Sequence, residues 1–184
     1  PELKKIFEEI KTEYESQGAD CRYLLAVPRL FFSCSGLFLM KRRVYFSSWP
    51  NARYYFKKNF RKDRTYGDAF LFEKANKDMY FRLWDNGKNV LFVHNNKQYA
   101  DIFRSMYHKT VYFMECPPQN AFEQMDELEK KIKLCMDENC LTADNTDIIL
   151  SAGPAGKVLV YKLSEEGYRC IDAGHCWDDP LEIK

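Results

Sequence analysis

Short apolar runs alternate along the chain with segments in which apolar residues recur every three or four positions. The runs predict β-strands, because strands buried on both faces are apolar throughout. They cover residues 23–27, 66–72, 89–94, 110–115, 148–150 and 168–171. The periodic segments predict helices over 2–16, over 120–136 and from 154 onwards. Such alternation predicts an α/β, Rossmann-like, three-layer fold with a mostly parallel sheet flanked by helices.

Two segments leave alternatives open. Residues 30–40 are apolar but interrupted by two serines and a glycine, which favours a loop and a short helix at the core over a membrane-facing patch. Residues 41–64 interleave basic and aromatic side chains, as single-stranded RNA sites do. Their helical spacing favours core aromatics instead, with Arg53, Lys57 and Lys58 directed outward.

Composition and charge narrow the class of protein. The chain has 184 residues, of which 46% are hydrophobic, and this size predicts one domain over 1–184. The formal net charge is +1, so we expect no general attraction for nucleic acid. No apolar run reaches the roughly 20 residues that span a bilayer. The charged start is not a signal peptide. A chain that opens inside a helix without methionine suggests truncation at its N-terminus.

The seven cysteines show neither a CxxC pair nor the spacing of a zinc site. Several lie in or beside apolar segments, where a free cysteine behaves as a small hydrophobe. Reduced thiols are favoured, because a chain of this length folds without disulfides. This favours a cytoplasmic location, and a Golgi-lumen enzyme with one or two disulfides is the alternative.

The most informative turn follows the apolar run 148–150. Its residues Gly153, Pro154 and Gly156 join this strand to the next helix. The N-terminus of such a helix collects free N–H groups that favour an anion, and proline suits the first helical position. A Gly-Pro turn also joins strand and helix in many α/β domains, and this turn matches neither GxGxxG nor a phosphate loop. Nucleotide binding and a purely structural role both remain open on pattern alone.

A polar cluster follows the next strand. The strand closes on Asp172, and His175, Asp178 and Asp179 come directly after it. The carboxyl ends of parallel strands meet at one edge of a sheet, where open α/β sheets bind their ligands. The cluster is therefore predicted to lie at the same edge as the Gly-Pro turn.

The order of these residues resembles a known family. The run LSAGPAGKVLVYKLSEEGYRCIDAGH at 150–175 resembles the C-terminal signature of the glycosyltransferases with the GT-D fold. Further stretches occur in the family's order: Pro1-Glu2-Leu3, Tyr66-Gly67-Asp68-Ala69-Phe70, Leu83-Trp84 and Cys116-Pro117-Pro118-Gln119-Asn120-Ala121-Phe122. The resemblance covers nearly the whole chain, and its C-terminal part is the specific one.

The resemblance implies transfer of a sugar from a nucleotide sugar, with a UDP-sugar as the expected donor, to a hydroxyl of a glycan or glycoprotein. The diphosphate would be bound by Gly153, Pro154 and Gly156. The nucleoside would contact Asn120 and Asp172. The structural alternative for Asn120 is the N-cap of the helix that follows it.

The resemblance also assigns catalytic roles. Asp179 is the expected base, Asp178 is a neighbour that could replace it, and His175 would orient a substrate oxygen or phosphate. The structural alternatives are a hydrogen-bonded histidine and a solvated acidic turn. The family's Asp-x-Glu motif lies upstream of the first helix, so Mn²⁺ or Mg²⁺ is expected without ligands in this chain.

Two departures from the family weaken the catalytic interpretation. The pair Phe72-Glu73 stands where members carry Ser/Thr-Arg, and the acidic, Arg-containing turn after the next strand is replaced by residues 94–98. Lys74 and Lys97 are candidates to replace the missing charge. The rival hypothesis is a non-catalytic module with a degenerate transferase fold that binds a nucleotide or a partner. The assembly state is not predicted.

Overall fold

The structure is a computed structural model that describes residues 2–42, 49–72, 79 and 81–174. The helices are α1 (Glu2–Gln17), α2 (Arg29–Ser33), α3 (Gly36–Arg42), α4 (Trp49–Asn59), α5 (Lys97–Tyr107), α6 (Met125–Glu138) and α7 (Pro154–Glu165). The strands are β1 (Ala26–Val27), β2 (Gly67–Asp68), β3 (Asn89–His94), β4 (Val111–Glu115), β5 (Thr146–Leu150) and β6 (Arg169–Asp172). The chain divides into two compact units, Glu8–Leu71 and the combination of Pro1–Phe7 with Phe72–Lys184.

The larger unit contains a four-stranded sheet in the order β4-β3-β5-β6. Every neighbouring pair of its strands is parallel, which confirms the predicted α/β class. Parallel neighbours require crossover connections, and the helices α5, α6 and α7 supply them in turn. The apolar β3 lies between β4 and β5, with its residues from Val90 to Val93 fully buried.

Helices cover both faces of this sheet. Leu91 and Val93 of β3 belong to a core cluster with α6 and α7. The next residue along the pleat, Phe92, packs instead against Phe103 of α5, with ring centroids 5.4 Å apart. Successive strand residues point to opposite faces, so the three layers follow directly from a strand that is apolar at every position from Val90 to Val93.

The structure differs from the sequence prediction at two helices of this unit. The helix predicted over 120–136 begins only at Met125, and Asn120 lies before it in a left-handed turn with φ of 54°, so Asn120 is not the N-cap. The helix α5 was not predicted. Its cap is Asn96, whose side chain accepts a hydrogen bond from Gln98 N at 3.0 Å, and this asparagine was the signal in the sequence.

The unit Glu8–Leu71 holds a separate pair of short parallel strands. Ala26 pairs with Gly67 and Val27 with Asp68, so the predicted strands 23–27 and 66–72 are shorter than expected and do not join the main sheet. Within the segment 30–40, the two helices α2 and α3 replace the predicted loop with one short helix.

The side chain of Arg53 does not point outward as predicted. Its guanidinium donates to Phe31 O at 3.1 Å and to Cys34 O at 3.0 Å, because the end of α2 leaves carbonyls without helical partners. Phe56 of the same helix packs against Phe60, which follows the helix directly, with ring centroids 4.9 Å apart. These contacts agree with the structural interpretation of this basic and aromatic segment.

None of the helices in the described residues combines the length and the apolar character needed to cross a bilayer. The described cysteines are free thiols: Cys21, Cys34, Cys116, Cys135, Cys140 and Cys170. The compartment remains a prediction.

Candidate functional site

Backbone hydrogen bonds align the loops at the carboxyl edge of the main sheet. Ser151 N donates to Val93 O at 3.0 Å, Cys116 N to His94 O at 3.1 Å, and Ala173 N to Leu150 O at 2.9 Å. Each bond continues a strand pairing one residue beyond the strand. The loops that follow β3, β4, β5 and β6 therefore start side by side.

The topology places a switch point at this edge. The chain leaves β3 toward α5 on one face of the sheet and leaves the adjacent β5 toward α7 on the other face. Two neighbouring strands whose connections diverge in this way form a topological switch point, where open α/β sheets bind ligands. The turn 151–156 forms one side of that point.

Gly153 gives the turn its shape. Its φ of 56° and ψ of −135° belong to a region that is essentially restricted to glycine. A Cβ added to Gly153 would meet no atom within 4 Å, so the backbone is open to the outside here. Pro154 occupies the first position of α7, as predicted, where its missing N–H is no loss.

Gly156 has a different surrounding from Gly153. It is buried, and a Cβ added to it would lie 3.4 Å from Asp172 Oδ1. The absence of a side chain therefore lets the first turn of α7 approach the end of β6. The two predicted residues Gly156 and Asp172 are brought together, although Gly156 faces the protein rather than the open side of the turn.

The carboxylate of Asp172 has two partners. Its Oδ2 accepts a hydrogen bond from Lys157 Nζ at 2.8 Å, and its Oδ1 accepts one from Gly174 N at 3.2 Å. The side chain of Lys157 is 55% exposed, so a ligand can reach this ion pair. Sequence reasoning missed Lys157, whose signal was a cation directly after the glycine turn.

Two further contacts order the loops at this edge of the sheet. Cys116 Sγ lies 3.8 Å from Ser151 O, and burial raises the pKa of this thiol, so it remains protonated and links the loop after β4 to the turn. The nearly buried His94 accepts a hydrogen bond from Asn96 N at its Nδ1, at 2.9 Å, which orders the entry into α5. Lys97, at the start of that helix, is exposed.

The remaining predicted residues are only partly placed. Asn120 is exposed in the loop that follows β4. His175, Asp178, Asp179 and Lys74 lie outside the described residues. Within the part of the chain that the structure describes, no group of three or more His, Cys, Asp or Glu side chains could hold a metal ion.

Comparison with known proteins identifies a family whose model covers most of the chain. A family model described as "Glycosyltransferase GT-D fold" matches residues 4–180. Over 96 residues the chain is 30% identical to "Probable glycosyl transferase Gly" of Streptococcus gordonii, covering 51% of this chain and 13% of the relative. Over 126 residues it is 27% identical to "Glycosyltransferase GlyD" of Streptococcus pneumoniae, covering 61% of this chain and 14% of the relative. The chain thus spans a small part of the length of these curated relatives.

Solved structures share the fold. "A New Glycosyltransferase (DUF1792) from Streptococcus sanguinis" superposes with a TM-score of 0.73 at 24% identity, over 99% of this chain and 68% of that chain. A second structure, "The highly conserved domain of unknown function 1792 has a distinct glycosyltransferase fold", gives a TM-score of 0.60 at 24% identity, over 88% of this chain and 62% of that chain. At these identities the likeness concerns the fold.

Proposed function

Because the chain belongs to the glycosyltransferase GT-D fold family, we propose that it transfers a sugar from a nucleotide-sugar donor, with a UDP-sugar as the expected donor, to a hydroxyl of a glycan acceptor. The observation that carries this proposal is the open turn at Gly153. It combines a glycine-only backbone conformation, free space above it and the N-terminus of α7 at a switch point of the sheet.

The turn suits the diphosphate of the donor. The first N–H groups of a helix have no intrahelical partner, and the helix dipole favours negative charge there. The nearby Lys157 adds a cation whose side chain is 55% exposed and whose ammonium group pairs with Asp172 at 2.8 Å. A phosphate oxygen that attracts Lys157 would free the Asp172 carboxylate to accept hydrogen bonds from ribose hydroxyls.

The acceptor side of the reaction rests on residues that the structure does not describe. We propose Asp179 as the base that takes the acceptor proton, with Asp178 as its neighbour and His175 as an orienting group. We also propose a requirement for Mn²⁺ or Mg²⁺. The described residues do not fit such an ion, so its ligands would lie elsewhere and no chemical step is assigned to it.

The rival proposal is a module that binds the nucleotide without transfer. The two departures from the family pattern, at Phe72-Glu73 and at residues 94–98, favour it. The two functions differ in one measurement. A transferase releases UDP from a UDP-sugar when an acceptor glycan is added, whereas a binding module retains affinity for UDP without release.

A pair of matched glycine variants tests the diphosphate site. Gly153 and Gly167 have positive φ values of 56° and 91°, and a Cβ at either would meet no atom within 4 Å. Both alanine variants should therefore lose stability through backbone strain, by about 1–3 kcal/mol. Only G153A alters the turn at the ligand edge, because Gly167 ends α7 at the other end of the helix.

Calorimetric titration with UDP, with and without Mn²⁺, should show binding that G153A weakens at least about tenfold, a difference of 1.4 kcal/mol. G167A should bind like the unmodified chain. Equal affinities for G153A and G167A would show that the nucleotide lies elsewhere. No binding in either condition would remove both the transferase and the nucleotide-binding proposals for this chain.

A further inference from the structure

A basic cavity of about 250 Å³ lies within the unit Glu8–Leu71, at the carboxyl ends of β1 and β2. Its charged lining consists of Arg29, Arg61, Lys62, Arg64 and Asp68. The lining thus carries four cationic side chains and one carboxylate. This imbalance occurs in a chain whose formal net charge is only +1, so positive charge is concentrated locally and favours an anion.

The carboxylates of this unit compensate only part of that charge. Arg61 is engaged by Asp63 through hydrogen bonds of 3.0 and 2.6 Å. Arg29 lies 3.6 Å from Asp68, whose Oδ1 is also occupied by Phe70 N at 3.0 Å. Among the described residues, no carboxylate forms an ion pair with Lys62 or Arg64.

Arg64 has an unused donor inside the structure. Its Nε is buried and has no hydrogen-bond partner in the described residues, an arrangement that costs free energy unless an acceptor arrives. The guanidinium is held close to Gly18, where an added Cβ would lie 2.8 Å from Arg64 Nη1. The arginine is therefore confined against the backbone before any ligand binds.

The wall of the cavity is also fixed in advance. Val27, Phe32 and Tyr66 supply apolar surface. The Tyr66 hydroxyl donates to Glu15 Oε1 at 2.8 Å, and burial, followed by this bond, raises the pKa of Tyr66. Arg61 N donates to the same Glu15 oxygen at 3.1 Å. The two bonds attach the cavity wall to α1, so a ligand meets a preformed surface.

The volume indicates the size of group that the cavity can enclose. It falls below the range of about 300–1,000 Å³ that is usual for sites of drug-sized ligands, so the cavity suits a small group. We propose that this cavity binds a phosphate group carried by a small ligand such as a sugar phosphate, with the cations around the phosphate and the aromatic wall beside the sugar. This site is additional to the proposed donor site and does not depend on it.

Protein NMR can test this with probes of known composition. Inorganic phosphate and glucose 1-phosphate should both shift the Arg64 Nε–H signal and the amides of Gly67 and Asp68, whereas glucose alone should not. Tighter binding of glucose 1-phosphate would assign the site to sugar phosphates. Tighter binding of inorganic phosphate would assign it to the free anion and overturn the sugar-phosphate part of the proposal.

Three variants separate this cavity from general surface charge. R64M and K62A should each weaken phosphate binding roughly fivefold or more, and K57A, which removes an exposed lysine of α4, should have no effect. R64K retains the charge and replaces R64M in the binding test if R64M fails to fold. Phosphate shifts confined to Gly153 and Ala155, or unchanged affinity in K62A, would overturn the proposal.

Discussion

Asp147 illustrates how one buried charge organises the edge of the main sheet opposite the candidate site. Its side chain is fully buried at the start of β5. Its Oδ2 accepts hydrogen bonds from Arg169 Nη1 and, at 2.7 Å, from Asn86 Nδ2. Lys88 Nζ lies 3.9 Å from Oδ1. The carboxylate therefore joins β6 and the loop before β3 to the middle of the sheet.

Replacing Asp147 by alanine should destabilise the protein by about 3 kcal/mol, because Asn86 and Arg169 lose hydrogen bonds to a charged and buried acceptor. Urea unfolding followed by circular dichroism measures this difference. D101A is the control, since Asp101 forms an exposed pair with Arg104 at 2.7 Å and should cost less than about 1 kcal/mol. Equal effects of the two substitutions would show that the Asp147 cluster contributes no more than a surface pair.

Lys97 is the described cation at the start of α5, next to the switch point. We expect K97A to weaken UDP binding roughly fivefold at low salt, because an exposed lysine near a diphosphate acts through a screened charge interaction. K130A removes another exposed lysine, from α6, and should leave the affinity unchanged. A salt-independent affinity that is the same in K97A and K130A would contradict a role for Lys97.

At the scale of elements, α6 and α7 are joined by a cluster of ion pairs. Lys162 of α7 lies 2.8 Å from Glu129 and 3.3 Å from Asp126, and Lys133 of α6 lies 2.9 Å from Glu129 and 2.6 Å from Glu166. Burial raises the pKa of Glu129, but the hydrogen bonds from Lys162 and Lys133 outweigh it, so the pKa lies below its ordinary 4.5.

This lowered pKa makes the helix contact sensitive to acid. A carboxylate with a depressed folded pKa contributes stability above its unfolded pKa of 4.5, and loses it as the pH falls through the folded value. We expect E129Q to cost about 1 kcal/mol at neutral pH and to lose less stability on acidification than the unmodified chain. Urea unfolding at a series of pH values measures both. Identical pH profiles would exclude the cluster as a source of acid sensitivity.

At the scale of the whole molecule, the apolar core is concentrated in one unit. Among the described residues, all of the largest fully buried side chains lie between Trp84 and Leu150. The unit Glu8–Leu71 has strands of two residues and fewer buried apolar side chains, including Ile10, Phe31 and Leu39. Small cores give marginal stability.

Trypsin in increasing urea should therefore cleave the unit Glu8–Leu71 first. Mass spectrometry should detect a resistant fragment that contains β3 to β6, because the buried side chains of this region resist opening. Fragments cut within both units at the same urea concentration would instead support the single cooperative domain that the sequence predicts over 1–184.

The sequence predicted most of the main sheet and little of the smaller unit, for physical reasons. Apolar runs such as 89–94 indicate strands, because a strand that is buried on both faces of a parallel sheet carries apolar residues at successive positions. The strands 23–27 and 66–72 are shorter than predicted, because Tyr23 and Tyr66 pack against Tyr14, and Phe70 against Phe31, outside any strand pairing. At the site, the Gly153 turn followed from residue types, whereas the Lys157–Asp172 pair and the Cys116 contact depend on neighbouring strands and could not be derived locally.

The position of β3 has a consequence for how the larger unit opens on heating. Its amides are bonded on both sides and shielded on both faces, so deuterium should enter them only during complete opening of the larger unit. The candidate ligand edge begins where this strand ends. Loss of nucleotide binding on heating should consequently coincide with loss of deuterium retention in β3, and not precede it.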